Sequence, residues 1–261
     1  MELNPTHSGF AHGFGIFETI RVSDGRIEFW EAHFERLVRS AQALNLNFDL
    51  KQEILLDEIR EWAQAESLRD GILKVSLISE GNTSRCYVYS RLLINPEGMI
   101  HLKLETQTTL NPHSILAGHK THNYMESMHL LKSARAEGFS DVVRVNTAGF
   151  IAETAISNLF FIRGDRLHTP ALSTGILPGI IRAEILAAAE RCSIASEEGN
   201  YTVNQLSAAE ALFLTNSSIG LLPVDELDVD GRTVSFKETH PMLDGLGIEL
   251  DRVRKQKSVK L

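Results

Sequence analysis

Gly118-His119-Lys120-Thr121-His122-Asn123-Tyr124 sets one lysine between a glycine and a run of polar and aromatic side chains. Upstream lies Asn111-Pro112-His113-Ser114, polar and proline-broken, and downstream residues 123–137 read as a helix. Lys120 therefore stands at a loop-to-helix junction, where a side chain can be held in a cavity. An amine must lose its proton to attack an aldehyde, and a free lysine titrates near about 10.4, so catalytic lysines are partly desolvated or set near another cation. Taken alone, a lysine here is an ordinary surface residue. Two later stretches change its weight: Glu153-Thr154-Ala155-Ile156-Ser157-Asn158, beginning 33 residues after Lys120, and Gly175-Ile176-Leu177-Pro178-Gly179-Ile180.

The chain around them is long enough, at 261 residues, for one large or two modest domains with a core that needs no disulfide. Hydrophobic residues at 43% and charged residues at 23% match ordinary globular proteins and exclude disordered and fibrous classes. A net charge of -8 argues against a nucleic-acid partner, which a basic face would serve. Cys86 and Cys192 lack metal-type spacing and are expected as buried small hydrophobes in a reducing compartment. The start carries no basic and apolar leader pattern and no run approaches a membrane span, so the expectation is a cytoplasmic protein with no membrane partner.

Residues 16–22 read as a strand, Ser23-Asp24-Gly25-Arg26 as a turn and Ile27 onward as the return of a hairpin. Helices are expected at 31–45 and 51–66 from the apolar stripes Phe34, Leu37, Val38, Ala41, Leu44 and Ile54, Leu55, Ile59, Trp62. Strands are expected at 72–79, 85–94 and 100–106, and a composition shift at Gln107–Leu110 marks a domain linker. Beyond it come strands at 141–146, 150–153 and 158–163, a helix at 179–191, strands at 211–215 and 221–227, and a closing helix at 240–255. The basic tail Arg252, Arg254, Lys255, Lys257 and Lys260 is read as cations complementing that helix's C-terminus. This gives two α/β halves, 1–108 and 119–261 joined by 109–118, without the regular alternation of a doubly wound sheet.

Together the three quoted motifs resemble the class IV aminotransferases, a family that includes branched-chain and D-amino acid aminotransferases and aminodeoxychorismate lyase. The resemblance runs from about His12 to Pro223. It implies a two-domain fold of the D-amino acid aminotransferase type, with pyridoxal 5'-phosphate lying in the cleft between halves, and a homodimer acting on a small amino or keto acid. It implies that Lys120 forms the Schiff base and moves the substrate proton, and that Glu153 keeps the pyridine nitrogen protonated so the ring can act as an electron sink. Arg36, in His33-Phe34-Glu35-Arg36-Leu37, matches the family's His-x-x-Arg-Leu and is expected at the cofactor phosphate, where a guanidinium fork fits. Leu177 is expected against the ring, and Tyr124 at its hydroxyl. The backbone of Ile180 and Ile181, at a helix start, offers a phosphate site. Where the family commonly has threonine, this chain has Ile181, which removes one hydroxyl donor.

Ser217 is expected to add a phosphate hydroxyl, and Ser218 and Ile219 substrate-facing amides. On the first strand Phe17, Thr19 and Arg21 share one face and Glu18 the other. That puts the first three at the substrate, with Arg21 the candidate for its carboxylate. Other readings fail on their residues. Gly13-Phe14-Gly15 lacks the third glycine of a dinucleotide fingerprint, no Gly-x-Ser-x-Gly elbow occurs, and His119 and His122 have no further ligand to complete a metal set. The implied activity is amino transfer to a 2-keto acid. The alternatives are 4-amino-4-deoxychorismate lyase, releasing pyruvate and 4-aminobenzoate, and a non-catalytic binding protein that keeps the fold.

Overall fold

The computed structural model describes residues 5–261. Its Cα packing forms two compact units. The first comprises the chain up to Ile94 together with His119–Tyr124 and Val253–Leu261, and the second Asn95–Gly118 and Met125–Arg252. Residues 95–108, expected in the N-terminal half, thus lie in the second unit, while the lysine segment lies in the first.

In the first unit a short helix α1 (Ser8–His12) precedes β1 (Gly15–Ser23), β2 (Arg26–Glu28), α2 (Trp30–Ala43), α3 (Gln52–Ala65), β3 (Gly71–Glu80) and β4 (Thr83–Arg91). Asp24 and Gly25 both have positive φ, 52° and 68°, the two-residue turn whose twist suits a tight hairpin. β1 pairs antiparallel with β3 so that Phe17 faces Ser76, Thr19 faces Lys74 and Arg21 faces Ile72. Alternation turns Ile16, Ile20 and Val22 of β1 with Leu73, Val75 and Leu77 of β3 toward Trp30, Leu37, Ala41, Leu55 and Ile59 of the two helices. Each Val, Leu or Ile among them contributes about 1.5–3 kcal/mol on burial. The strand expected at 85–94 stops at Arg91, and Leu92 and Ile94 ahead of Pro96 are exposed.

The second unit runs β5 (His101–Leu110), α4 (Met125–Ala136), β6 (Asp141–Asn146), β7 (Ile151–Thr154), β8 (Asn158–Arg163), β9 (Arg166–Pro170), α5 (Ile180–Arg191), β10 (Ala195–Gly199), α6 (Val203–Ser207), β11 (Ala211–Asn216), β12 (Gly220–Val224), β13 (Glu226–Val229), β14 (Arg232–Ser235) and α7 (Pro241–Gln256). The last of these reaches back into the first unit, where β15 (Ser258–Lys260) pairs with β2. Two five-stranded sheets, ordered β14-β13-β5-β6-β7 and β10-β9-β8-β11-β12, share a core that includes Leu102, Val143, Leu159, Phe161, Leu212 and Leu227.

Four expectations need correction. The polar shift at Gln107–Leu110 is a bulge within β5 rather than the end of a strand, because Glu105 Oε1 accepts from the amides of Gln107 and Thr108 at 2.6 and 2.8 Å. The strand expected at 221–227 is two strands in different sheets, broken at Asp225, whose carboxylate receives the Ile100 amide at 2.5 Å. Cys192 follows the last turn of α5 and is exposed, while Cys86 is partly covered. The basic tail is helical only to Gln256, with Lys260 on β15.

Candidate active site

In the first unit, the lysine segment docks along the start of β1. Phe17 N–H donates to Lys120 O and His122 N–H to Gly15 O, both at 2.9 Å, so Ile16 and Thr121 form an isolated bridge. Gly15 permits this approach, since a Cβ there would lie 2.9 Å from His122 Cδ2 and 2.8 Å from Leu77 O. Thr121 turns inward and is buried, which places Lys120 and His122 on the other side. The Lys120 amine lies 4.5 Å from the Phe17 ring centroid and 5.0 Å from that of Tyr124. Those rings meet edge to face at 5.5 Å, and His122 leans on Phe17 at 5.2 Å. Burial, and then Lys74, push the His122 imidazole below its ordinary range. His119 serves elsewhere, with Nδ1 3.0 Å from Ser40 Oγ.

On the other face of β1, Glu18 is buried against α2. Arg36 Nε and Nη2 donate to its two oxygens at 2.9 and 2.6 Å, and His33 Nδ1 stands 2.7 Å away. Burial alone would raise the Glu18 carboxyl, but Arg36 and then His33 outweigh it and hold it at about 2. Burial keeps His33 below its ordinary range, so the ring is neutral near pH 7 and donates from Nδ1. Arg36 is therefore held by an acid that the sequence reading assigned only to the opposite face. Thr19 and Arg21 follow Phe17 along β1, with Arg21 Nε donating to Ser23 Oγ at 3.2 Å.

In the second unit Glu153 stands on β7. Its Oε2 accepts from Leu177 N–H at 3.0 Å and from Asn158 Nδ2 at 3.2 Å. Asn158 Nδ2 also donates to Leu177 O at 2.9 Å, which ties the acid to the Ile176–Gly179 loop. A Cβ on Gly179 would run into Asn158 Oδ1, so a larger residue there would displace that side chain. Gly179 is the N-cap of α5 and has no side chain to satisfy the first amides, those of Ile180 and Ile181. The Ile181 side chain is buried in the interior, so the hydroxyl lost at that position is exchanged for packing. Asn216 Oδ1 takes the amides of Ser218 and Ile219 at 2.8 and 3.0 Å, and its Nδ2 reaches Ser157 Oγ at 2.9 Å. Those amides are engaged within the turn rather than presented to a substrate.

In the first unit Lys120 and Tyr124 both pack on Phe17, and in the second Glu153 is bonded to Leu177 while Asn216 ties the Ser217–Ile219 turn to Ser157. Sequence reasoning passed over Glu18, His33, Asn158 and Asn216. The signals present were the alternation that sends Glu18 inward beside His-x-x-Arg, the asparagine that ends Glu153–Asn158, and the asparagine just ahead of Ser217.

The description "Amino-transferase class IV" belongs to the family model that matches residues 15–227. The chain belongs to the class IV aminotransferase family. As a member it is an enzyme of the aminotransferase or aminodeoxychorismate lyase kind. Among relatives of this class IV enzyme, an aminodeoxychorismate lyase from Vibrio harveyi is 27% identical over 247 residues, spanning 87% of this chain and 88% of the relative. A solved structure from Legionella pneumophila, provisionally named 4-amino-4-deoxychorismate lyase, is 28% identical with a TM-score of 0.91, covering 97% of this chain and 96% of its own. A Mycobacterium tuberculosis protein provisionally named an aminotransferase, solved with alpha-ketoglutarate and PMP bound, shares the fold at a TM-score of 0.84 and 23% identity, covering 97% and 93%. Among the described residues, no helix of this class IV enzyme is long and apolar enough to cross a membrane.

Proposed function

We propose that the protein is a pyridoxal-phosphate enzyme that removes the proton from the amine-bearing carbon of its substrate with Lys120, and that its net reaction is the release of pyruvate from aminodeoxychorismate. The observation that carries the shared chemistry is the Lys120 amine held on the faces of Phe17 and Tyr124. Aromatic walls exclude water and fix where the amine stands, so that it can meet an aldehyde and a substrate proton.

The residues present fit the cofactor in kind. Glu153, a carboxylate already ordered by two donors, suits a protonated ring nitrogen. The uncapped start of α5 at Ile180 and Ile181 suits a phosphate. Arg36 would add a cation whose orientation Glu18 fixes, Ser217 a hydroxyl, Leu177 an apolar contact and Tyr124 a phenol. When bound, pyridoxal phosphate supplies an electron sink for the charge left by proton removal. Lys120 then gives a proton to the methylene carbon of the departing three-carbon unit, so that pyruvate leaves and the ring becomes 4-aminobenzoate.

The lyase reading is supported by the relatives at 27% and 28% identity that bear that name over nearly the whole chain. Transamination to a 2-keto acid is the second reading, favoured by the family's own description, because Lys120 serves both reactions up to proton removal. Supplying aminodeoxychorismate without any keto acid separates them. Equimolar pyruvate and 4-aminobenzoate are expected, whereas turnover of amine donors only when a keto acid is present would replace the lyase reading with the second. A homodimer belongs to the same proposal and is checked by sedimentation.

A further inference from the structure

The face of the first unit's sheet that carries Phe17 is laid out in rows by strand pairing. Arg21 on β1, Ile72 on β3 and Arg91 on β4 are paired; so are Thr19, Lys74 and Tyr89; and so are Phe17, Ser76 and Tyr87. Paired residues share a face, so Lys74 projects on the same side as Phe17. Its amine lies 3.9 Å from the Phe17 ring centroid, the same ring that holds the Lys120 amine at 4.5 Å, and 5.8 Å from the Tyr89 ring. Lys74 is half-buried, and among the described residues it makes no ion pair. The acid on this face, Glu80, is engaged by the Tyr87 hydroxyl. Burial, and next the charge of Arg91, push the Lys74 amine below its ordinary range.

Lys74 and Arg91 share this face and neither makes an ion pair among the described residues, so they repel one another, and a ring face offsets only part of that cost. A bound anion removes it. We propose that Lys74, with Arg91 beside it, binds a carboxylate of the substrate distinct from any held by Arg21, so that the enzyme selects amines carrying two carboxylates over aliphatic amino acids. This deepens the proposed function and rests on Lys120 being the reacting amine, because Lys74 is placed by the ring that also places Lys120.

The test uses holoenzyme of the wild type, Lys74→Met and Lys74→Arg, titrated by calorimetry with glutarate and with pentanoate, five-carbon acids that differ by one carboxylate. The wild type should prefer glutarate. Lys74→Met should weaken glutarate about tenfold, the scale of one charge-assisted contact, and leave pentanoate within about twofold. Lys74→Arg should restore the preference. An equal loss for both acids, an unchanged glutarate affinity in Lys74→Met, or a wild type without preference overturns the inference. Borohydride labelling of the same samples keeps the two claims apart: a labelled Lys120 with unchanged glutarate binding sinks this inference alone, and an unlabelled Lys120 sinks the reading beneath it.

Discussion

Replacing Glu18 by Gln removes the carboxylate from the buried Glu18–Arg36–His33 cluster while keeping its shape. The wild-type carboxyl sits at about 2 rather than 4.5 even though burial opposes the charged form. At about 1.4 kcal/mol per pH unit that drop corresponds to roughly 3 kcal/mol of stability. Removing one partner of a buried pair costs about 3–5 kcal/mol, because the remaining charge is left without its counter-ion. The folded-state value lies below the unfolded one, so this stabilisation is complete above about pH 4.5 and is lost as pH falls toward about 2. The chain's two tryptophans, Trp30 and Trp62, both lie in the first unit, so their fluorescence during urea unfolding reports on the unit that holds Glu18. Glu18→Gln should lose roughly 3–5 kcal/mol at pH 7 and show a shallower fall of stability with acid than the wild type. The double variant Glu18→Gln with Arg36→Met should recover part of the loss. A single variant within about 1 kcal/mol of wild type, or one whose acid slope equals the wild type's, would refute the assignment of Glu18 as the acid that holds Arg36.

Gly179→Ala should push Asn158 off both Glu153 and Leu177 O, costing more than about 1 kcal/mol and weakening cofactor retention in equilibrium dialysis. Wild-type retention in that variant would show that the loop does not order Glu153. Burial, and then Glu58, push the Cys86 thiol up to about 12, whereas Cys192 is exposed. One thiol per chain should therefore react quickly with a disulfide reagent at neutral pH, and peptide mapping should find it at Cys192, with Cys86 reacting only on unfolding. Fast labelling of Cys86 in the folded protein would contradict its placement against the β3–β4 core.

Much of the fold was legible because its elements carry periodic signals. The stripe Leu37, Ala41 and the pair Leu55, Ile59 announced α2 and α3, and residues 141–146 and 158–163 are β6 and β8 to the residue. What escaped was short or polar. β10, Ala-Ser-Glu-Glu-Gly, has no apolar alternation and is a strand because β9 pairs with it. α6 spans only five residues, although its capping box, Thr202 with Gln205, was readable. The bulge in β5 depends on Glu105 folding back onto its own backbone, which no periodicity reports. At the site, the motifs pointed to Lys120, Glu153 and the α5 start, and Arg36 was found without its acid. Glu18 holds Arg36, Asn158 holds Glu153 and Asn216 holds the Ser218–Ile219 turn, and such roles become visible only through side-chain geometry.

Mass spectrometry after borohydride reduction of the protein loaded with pyridoxal phosphate identifies which amine reacts. A phosphopyridoxyl group on the peptide containing Lys120, absent from a Lys120→Ala protein whose tryptophan fluorescence shows it folded, is the predicted result. Label on Lys74, the other amine over the Phe17 ring, or label that persists in Lys120→Ala, would contradict it.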